Sequence, residues 1–226
     1  MQKYIVIADD LTGSNATCSL LKKIGLRAAS ILKLQNGMKY DTDVISYSTG
    51  SRGLDKEEAY KKVSEAIKIL KDKNVLVYNK RIDSTLRGNI GAEINAMLDN
   101  LENDRIAVVV PAYPDSKRIV VNKTMLVNGV LLENSDAGKD PKTPIKTSCV
   151  ETLIQKDCKY SSTYFDLADI EQPIEKLIKK IQKSTEKSRV LIFDTVNNED
   201  IIKISRAIIQ SNINIINVDP GPFTLY

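Results

Sequence analysis

Three short stretches of the 226-residue chain concentrate side chains that can do chemistry. The first, Asp9-Asp10-Leu11-Thr12-Gly13-Ser14, follows an apolar run and leads into Leu20, Leu21 and Ile24, with Gly25 placed to close a helix. Adjacent carboxylates at a strand end can accept bonds from sugar hydroxyls, hold a hydrated Mg²⁺ or act as a base, and a helix N-terminus behind them favours an anion. The same residues fit a plainer arrangement in which one Asp caps the helix and the other is solvated. The second stretch, Thr49-Gly50-Ser51-Arg52, is a turn ending in a guanidinium, which read alone is also what a surface arginine looks like. The third runs from Lys80 through Arg81, Ile82, Asp83, Ser84, Thr85, Leu86, Arg87, Gly88, Asn89 and Ile90 to Gly91. Guanidinium, hydroxyl and carboxylate groups crowded at a strand-to-helix turn suit forked recognition of a carboxylate, with backbone amides for further anion oxygens.

What the chain lacks narrows the chemistry. There is no histidine, so Ser-His-Asp and Cys-His triads and His-ligated zinc are excluded, and proton transfer falls to carboxylates, Lys or Tyr. The cysteines, Cys18, Cys149 and Cys158, are odd in number and form no C-x-x-C pair, which argues against a disulfide framework and for a reducing cytoplasm. The start Met1-Gln2-Lys3-Tyr4-Ile5-Val6-Ile7-Ala8 lacks the basic and apolar regions of a secretory leader, and no apolar run approaches the ~20 residues of a membrane span. Neither G-x-x-x-x-G-K-[ST] nor G-x-G-x-x-G occurs, so no common nucleotide phosphate loop is visible. A D-x-D-x-T phosphatase register fails because Ala8 stands where the nucleophile would be. With Lys+Arg 33 against Asp+Glu 29 the net charge is only +4, and the Lys-rich helix expected from Glu175 to Lys187 reads as a solvated face because no aromatic residues interleave with its charges. No nucleic-acid or membrane partner is expected.

These groups must be positioned by regular elements. Apolar runs at Tyr4 to Ala8, Leu26 to Leu32, Val44 to Tyr47, Val75 to Tyr78, Ile106 to Val110, Val190 to Phe193 and Ile213 to Val218 read as buried strands. Between them, Ala59, Val63, Ala66, Ile67 and Leu70, then Ile90, Ile94, Met97, Leu98 and Leu101, follow helical spacing. Asp55 with Glu58 and Ser148 with Glu151 predict two capping boxes. The alternation predicts an α/β domain with a mainly parallel Rossmann-like sheet flanked by helices. Residues 111–147 interrupt the rhythm with strand-like runs at Arg118 to Val121, Met125 to Val127 and Val130 to Leu132, and Asn128-Gly129 predicts a tight turn, so a β-hairpin insertion is expected there.

Several segments together resemble the four-carbon acid sugar kinase family. They are Ile7 to Gly13, Ser51-Arg52, Asp83 to Asn89, Pro111-Ala112-Tyr113-Pro114, Val127-Asn128-Gly129 and Asp140-Pro141-Lys142-Thr143-Pro144, in that order along nearly the whole chain. Gly50, where the family often has an acidic residue, Lys117, often Gly, and Glu133-Asn134-Ser135, lacking the usual Thr, are departures that bear on which substrate is taken. The resemblance implies ATP-dependent phosphorylation of the terminal hydroxyl of an erythronate, threonate or oxo-tetronate. It also implies that residues 1–226 are the sugar-acid-binding N-terminal domain, inactive alone, with ATP and Mg²⁺ held mainly by a C-terminal nucleotide-binding domain acting in cis or trans.

The two readings agree in kind on the site. The expected substrate-binding set is Asp9, Asp10, Thr12, Arg52, Asp83, Ser84, Thr85, Arg87 and Asn89. Within it Arg87, with Arg52 or Arg81, holds the carboxylate, Asp9, Asp10 and Asp83 hold hydroxyls, and Asp10 serves as the catalytic base. No protein metal site is expected at Asp9 and Asp10, since Mg²⁺ usually travels with nucleotide phosphates. The alternatives are a non-catalytic sugar-acid-binding module and a metal-dependent phosphatase built on the same carboxylates.

Overall fold

Short runs of β-branched residues, buried on both faces, form the centre of the molecule. The computed structural model describes residues 3–35, 37 and 40–226, so Met1 and Gln2 of the stretch examined for a leader lie outside the described residues. Strand β1 (Tyr4–Ala8) is followed by α1 (Leu11–Lys23), β2 (Ala28–Ile31), β3 (Val44–Ser48), α2 (Lys56–Leu70), β4 (Val77–Arg81), α3 (Ile90–Asn100) and β5 (Ile106–Val109). After an excursion containing β6 (Arg118–Val121), β7 (Thr124–Val127) and β8 (Val130–Leu131), the chain continues through α4 (Val150–Gln155), β9 (Ser162–Phe165), α5 (Leu167–Glu171), α6 (Ile174–Thr185), β10 (Val190–Phe193), α7 (Asn198–Ser211) and β11 (Ile215–Asp219).

Eight strands make one sheet in the order β2-β3-β1-β4-β11-β5-β10-β9, and every pairing is parallel. Parallel strands need crossover helices on their faces, so both faces must be apolar, which is why the strands read as continuous hydrophobic runs. Ile5 and Ile7 of β1 face a core shared with Val63, Ile67, Ile94 and Met97 of α2 and α3. Val6 faces the opposite side with Cys18 and Leu21 of α1. Beyond β11, Val108, Leu191 and Phe193 pack with Leu177, Ile181, Ile201 and Ile204, and Phe193 stacks on Phe165 with ring centroids 4.5 Å apart.

The expected α/β architecture is present, with local corrections. Strand β4 starts at Val77, not Val75, and runs on to Arg81, because its register with β1 pairs Tyr4 with Val77 and Ala8 with Arg81. This draws Lys80 and Arg81 out of the turn and into the sheet. Strand β9 was not expected: Ser162-Thr163-Tyr164-Phe165 is an edge strand buried only at Phe165, so it lacks the apolar run of its neighbours. The expected hairpin is a three-stranded antiparallel sheet, β6-β7-β8. Its second turn is the anticipated Asn128-Gly129, and Asn122-Lys123 make a first one with the same left-handed backbone, at φ 48° and 65°. Asp55 caps α2 by accepting from the Glu58 amide at 2.8 Å. This is the N-cap half of the expected box, without a return bond from the Glu58 side chain, and the second expected box does not form at all. Cys149 stands at the N-cap of α4, the Ser148 hydroxyl accepts from the Glu133 amide, and Glu151 pairs with Lys123. The Lys-rich stretch forms α6, which buries Leu177 and Ile181 and leaves its lysines outward. Among the described residues no helix is long and apolar enough to cross a membrane.

Candidate functional site

From β1 the chain goes outward to β2 and β3 on one side, then crosses to β4 on the other. In open parallel sheets the crevice beyond the carboxyl ends of strands at such a reversal is where ligands bind. The reversal brings together Asp9 and Asp10 after β1, the 49–52 turn after β3, and the 82–89 turn after β4.

Asp10 has extended backbone (φ −142°, ψ 166°) and caps α1, its carboxylate accepting from the Gly13 amide at 2.7 Å. The same carboxylate meets Arg52 Nη1 at 2.8 Å, so Asp10 is both a cap and a member of a charged cluster. Asp9 is nearly buried and takes Arg52 Nε at 2.6 Å and Nη2 at 3.0 Å, the bidentate geometry a planar guanidinium favours. Arg52 Nη2 also lies 3.6 Å from Asp83. Asp83 in turn accepts from Arg87 Nε at 2.7 Å, Arg87 Nη2 at 3.1 Å and the Thr85 hydroxyl at 2.5 Å. Arg87 Nη1 completes the row by donating to Asp140 at 2.9 Å, and Asp140 is itself oriented by the amides of Lys142 and Thr143. The result is a ladder of carboxylates bridged by two guanidinium groups: Asp10, Asp9 and Asp83 around Arg52, then Asp83 and Asp140 on either side of Arg87.

The electrostatics follow from these contacts. Burial opposes ionisation of Asp83, but the bonds from Arg87 and the charge of Arg52 outweigh it and hold the carboxyl at about 2. The Asp83 bond raises Arg87, and the Thr143 amide, then Arg87, lower Asp140. Beneath the ladder lies a second charged pair. Lys80 Nζ meets Glu93 at 2.8 Å with both side chains buried, and Glu93 also accepts from the Ser51 hydroxyl. Burial pushes the Glu93 carboxyl up, against the pull of Lys80.

The expected residues fare differently. Asp9, Asp10, Arg52, Asp83, Thr85 and Arg87 converge. Asn89 stands behind them and donates to the carbonyls of Ser51 at 3.2 Å and Leu54 at 2.9 Å, which fixes the turn carrying Arg52. Thr12 is exposed on the first turn of α1, and Ser84 is half-buried; neither side chain makes a hydrogen bond among the described residues. Gly88 takes φ 95°, a backbone conformation that side-chain-bearing residues rarely adopt, and so lets the turn pass beside Arg52. Sequence reasoning missed Asp140 and Glu93 as contributors. Asp140 was visible only as the first residue of a Pro-containing loop. Glu93 sits between Ile90 and Ile94 and four residues before Met97, so a carboxylate on the buried stripe of α3 was its signal.

Asp9, Asp10 and Asp83 gather around the Arg52 guanidinium, and among the described residues no three acidic or Cys side chains are grouped as metal ligands. A cleft of about 460 Å³ opens beside the ladder, between the 86–91 turn and the 142–147 loop, with Lys142, Lys146 and Lys156 on its walls.

A family model described as a sugar-binding N-terminal domain matches residues 4–226. This chain belongs to that family. A D-erythronate kinase of Heliobacterium modesticaldum is 40% identical to this sugar-binding domain over 231 residues, covering 99% of the chain and 52% of the relative. A D-threonate kinase of Salmonella typhimurium is 33% identical over 208 residues, covering 91% and 48%. The domain thus spans about half the length of the curated relatives it matches, and those relatives are four-carbon sugar acid kinases, the family the motifs resemble. A Bordetella bronchiseptica protein solved as a domain-swapped dimer with bound citrate shares the fold, with TM-score 0.82 at 26% identity over 99% of this chain and 54% of that one.

Proposed function

We propose that this domain is the substrate-binding half of a kinase that transfers the γ-phosphoryl group of ATP to the terminal hydroxyl of a four-carbon sugar acid of the erythronate, threonate or oxo-tetronate type. The observation that carries this reading is the ladder of carboxylates and guanidinium groups at the ends of β1, β3 and β4. A polyhydroxy acid presents donors and an anion on one small frame, and the ladder presents acceptors and cations at matching scale. Membership in the sugar-binding family and the names of the relatives support the substrate class.

Asp10 is the base in this scheme. Its side chain is 27% exposed, whereas Asp9 and Asp83, at 4% and 10%, are enclosed by arginines. Asp10 accepts the hydroxyl proton as the oxygen forms its bond to Pγ, the bond from Pγ to the β–γ bridging oxygen breaks, and ADP leaves. The chain contributes orientation and proton acceptance, and ATP with its Mg²⁺ belongs to a C-terminal nucleotide-binding domain.

The test is ADP release with D-erythronate, D-threonate and 3-oxo-tetronate, each measured with the chain alone and with a nucleotide-binding half supplied. Turnover only with both halves supports the proposal, as does the absence of micromolar ATP affinity in the chain alone. Acid binding without turnover under any combination would instead make this a binding module, and release of phosphate from a phosphorylated sugar acid without nucleotide would make it a phosphatase.

A further inference from the structure

The donors and acceptors of the ladder are almost fully matched to one another. All three nitrogens of Arg52 and all three of Arg87 face carboxylates. Asp219, buried at the end of β11, is likewise satisfied by the Asn79 amide, the Gly221 and Thr224 amides and the Thr224 hydroxyl. Arg81 is the exception. It is only 8% exposed, its Nη1 donates to the carbonyl of its neighbour Ile82, and its Nε is buried without a partner. Asp219, Asp9, Asp83 and Asp10 surround it, yet it makes no ion pair with any of them. Burial accordingly pulls its affinity for the proton down.

Its position gives this unused capacity a direction. Arg81 lies against the first turn of α1: a Cβ built on Gly13 would stand 3.4 Å from Arg81 Cγ and Nε. That turn is the positive end of a 13-residue helix, where the amides of Leu11 and Thr12 precede the first intrahelical bond. A buried guanidinium beside a helix N-terminus, on the strand next to Asp9 and Asp10, is a place for a small anion. Thr42 Oγ1, Asn79 Oδ1, Arg118 Nε, Thr195 Oγ1 and Asn217 Oδ1 are also buried without a partner among the described residues, but Arg81 Nε is the one that lies against the first turn of α1, where a ligand would satisfy it.

Resting on the kinase reading above, we propose that Arg81, with the first turn of α1, meets the carboxylate of the substrate and is the residue that selects a sugar acid over the neutral polyol. The forks of Arg87 and Arg52 then serve to hold Asp83, Asp9 and Asp10 in place for the hydroxyls. Gly13 is needed here because any side chain would crowd both Asp10 and Arg81.

The experiment compares calorimetric binding of D-erythronate and of erythritol to the parent protein and to Arg81→Gln, with Lys142→Gln and Lys146→Gln testing the neighbouring cleft. The parent prefers the acid. Arg81→Gln loses about 10- to 100-fold in affinity for the acid, the scale of a hydrogen bond to a charged group, while erythritol binding stays within about twofold. Both lysine variants keep the acid preference. If Arg81→Gln does not fold, the parent decides alone: its Arg81 Nε–H resonance, assigned by backbone connectivity, moves on addition of D-erythronate and not of erythritol. An acid preference that survives in Arg81→Gln, or an unmoved Nε–H at saturation, overturns the role of Arg81 while leaving the kinase reading intact. A parent that does not distinguish acid from polyol overturns the kinase reading, and the role of Arg81 with it.

Discussion

Asp83 is the residue on which the two halves of the ladder depend, since it receives Arg87 in a fork and draws Arg52 to within 3.6 Å. Its folded pKa of about 2 lies below the ~3.9 of an unfolded Asp. The sign is therefore that of a depressed acid: the stabilisation is complete above about pH 4 and disappears as pH falls toward about 2. At neutral pH the linkage is worth on the order of 2 kcal/mol. Urea unfolding between pH 2.5 and 6 should show the parent losing stability over this window, and Asp83→Asn should lose that part of the slope. An unchanged slope in the variant would mean that other carboxylates dominate acid unfolding.

Elements meet the site through close backbone contacts that only small residues allow. Gly91, in the first turn of α3, faces the end of α4, and a Cβ there would stand 2.5 Å from the Ile154 carbonyl oxygen and 2.6 Å from the Cys158 amide nitrogen. Neither atom belongs to a flexible side chain, so Gly91→Ala should cost about 2 to 3 kcal/mol through overpacking. Gly53→Ala is the control, because its Cβ would meet only the Lys142 side chain at 3.8 Å. Thermal melts of the two variants give the comparison. At the far end of the sheet, Asp194 after β10 accepts from the amides of Asn122 and Lys123 and from the Tyr164 hydroxyl, tying the β6–β8 sheet to the main one. Asp194→Ala should lower stability by about 2 to 3 kcal/mol and speed proteolytic cleavage within 118–131. Unaltered cleavage would show that the burial of Val120, Met125 and Val127 and the backbone bonds of Val120 with Thr195 and of Met125 with Ser148 hold that sheet without Asp194.

For the whole molecule, the order of strands in space matters more than their order in sequence. The last strand, β11, lies between β4 and β5 and pairs with both. Its removal would leave two half-sheets with unpaired edges and strip Asn79 of its Asp219 and Thr224 partners. A chain shortened by residues 213–226 should therefore lack a cooperative unfolding transition, measured by circular dichroism. Survival of a sharp transition would show that one half-sheet folds independently.

Much of the fold was legible because burial on both faces of a parallel sheet writes itself into local composition. Tyr4 to Ala8 and Val190 to Phe193 are strands because nothing else buries such runs so cheaply in backbone hydrogen bonds. Ser162 to Phe165 was not legible, because an edge strand keeps polar residues, and neither was the start of β4, because register with β1 rather than composition sets it. At the site, the chain alone determined the residue types and their crowding after β1, β3 and β4, but not the fork of Arg87 on Asp83, since the expected partner of Arg87 is the substrate carboxylate. Contacts such as Arg52 with Asp9, 43 residues apart, and Arg87 with Asp140, 53 apart, were decided only by the tertiary structure. So was the isolation of Arg81, whose side chain looks like its neighbours in sequence. Periodicity records which face of an element is buried, whereas the partner of a charged group depends on where distant strand ends are brought together.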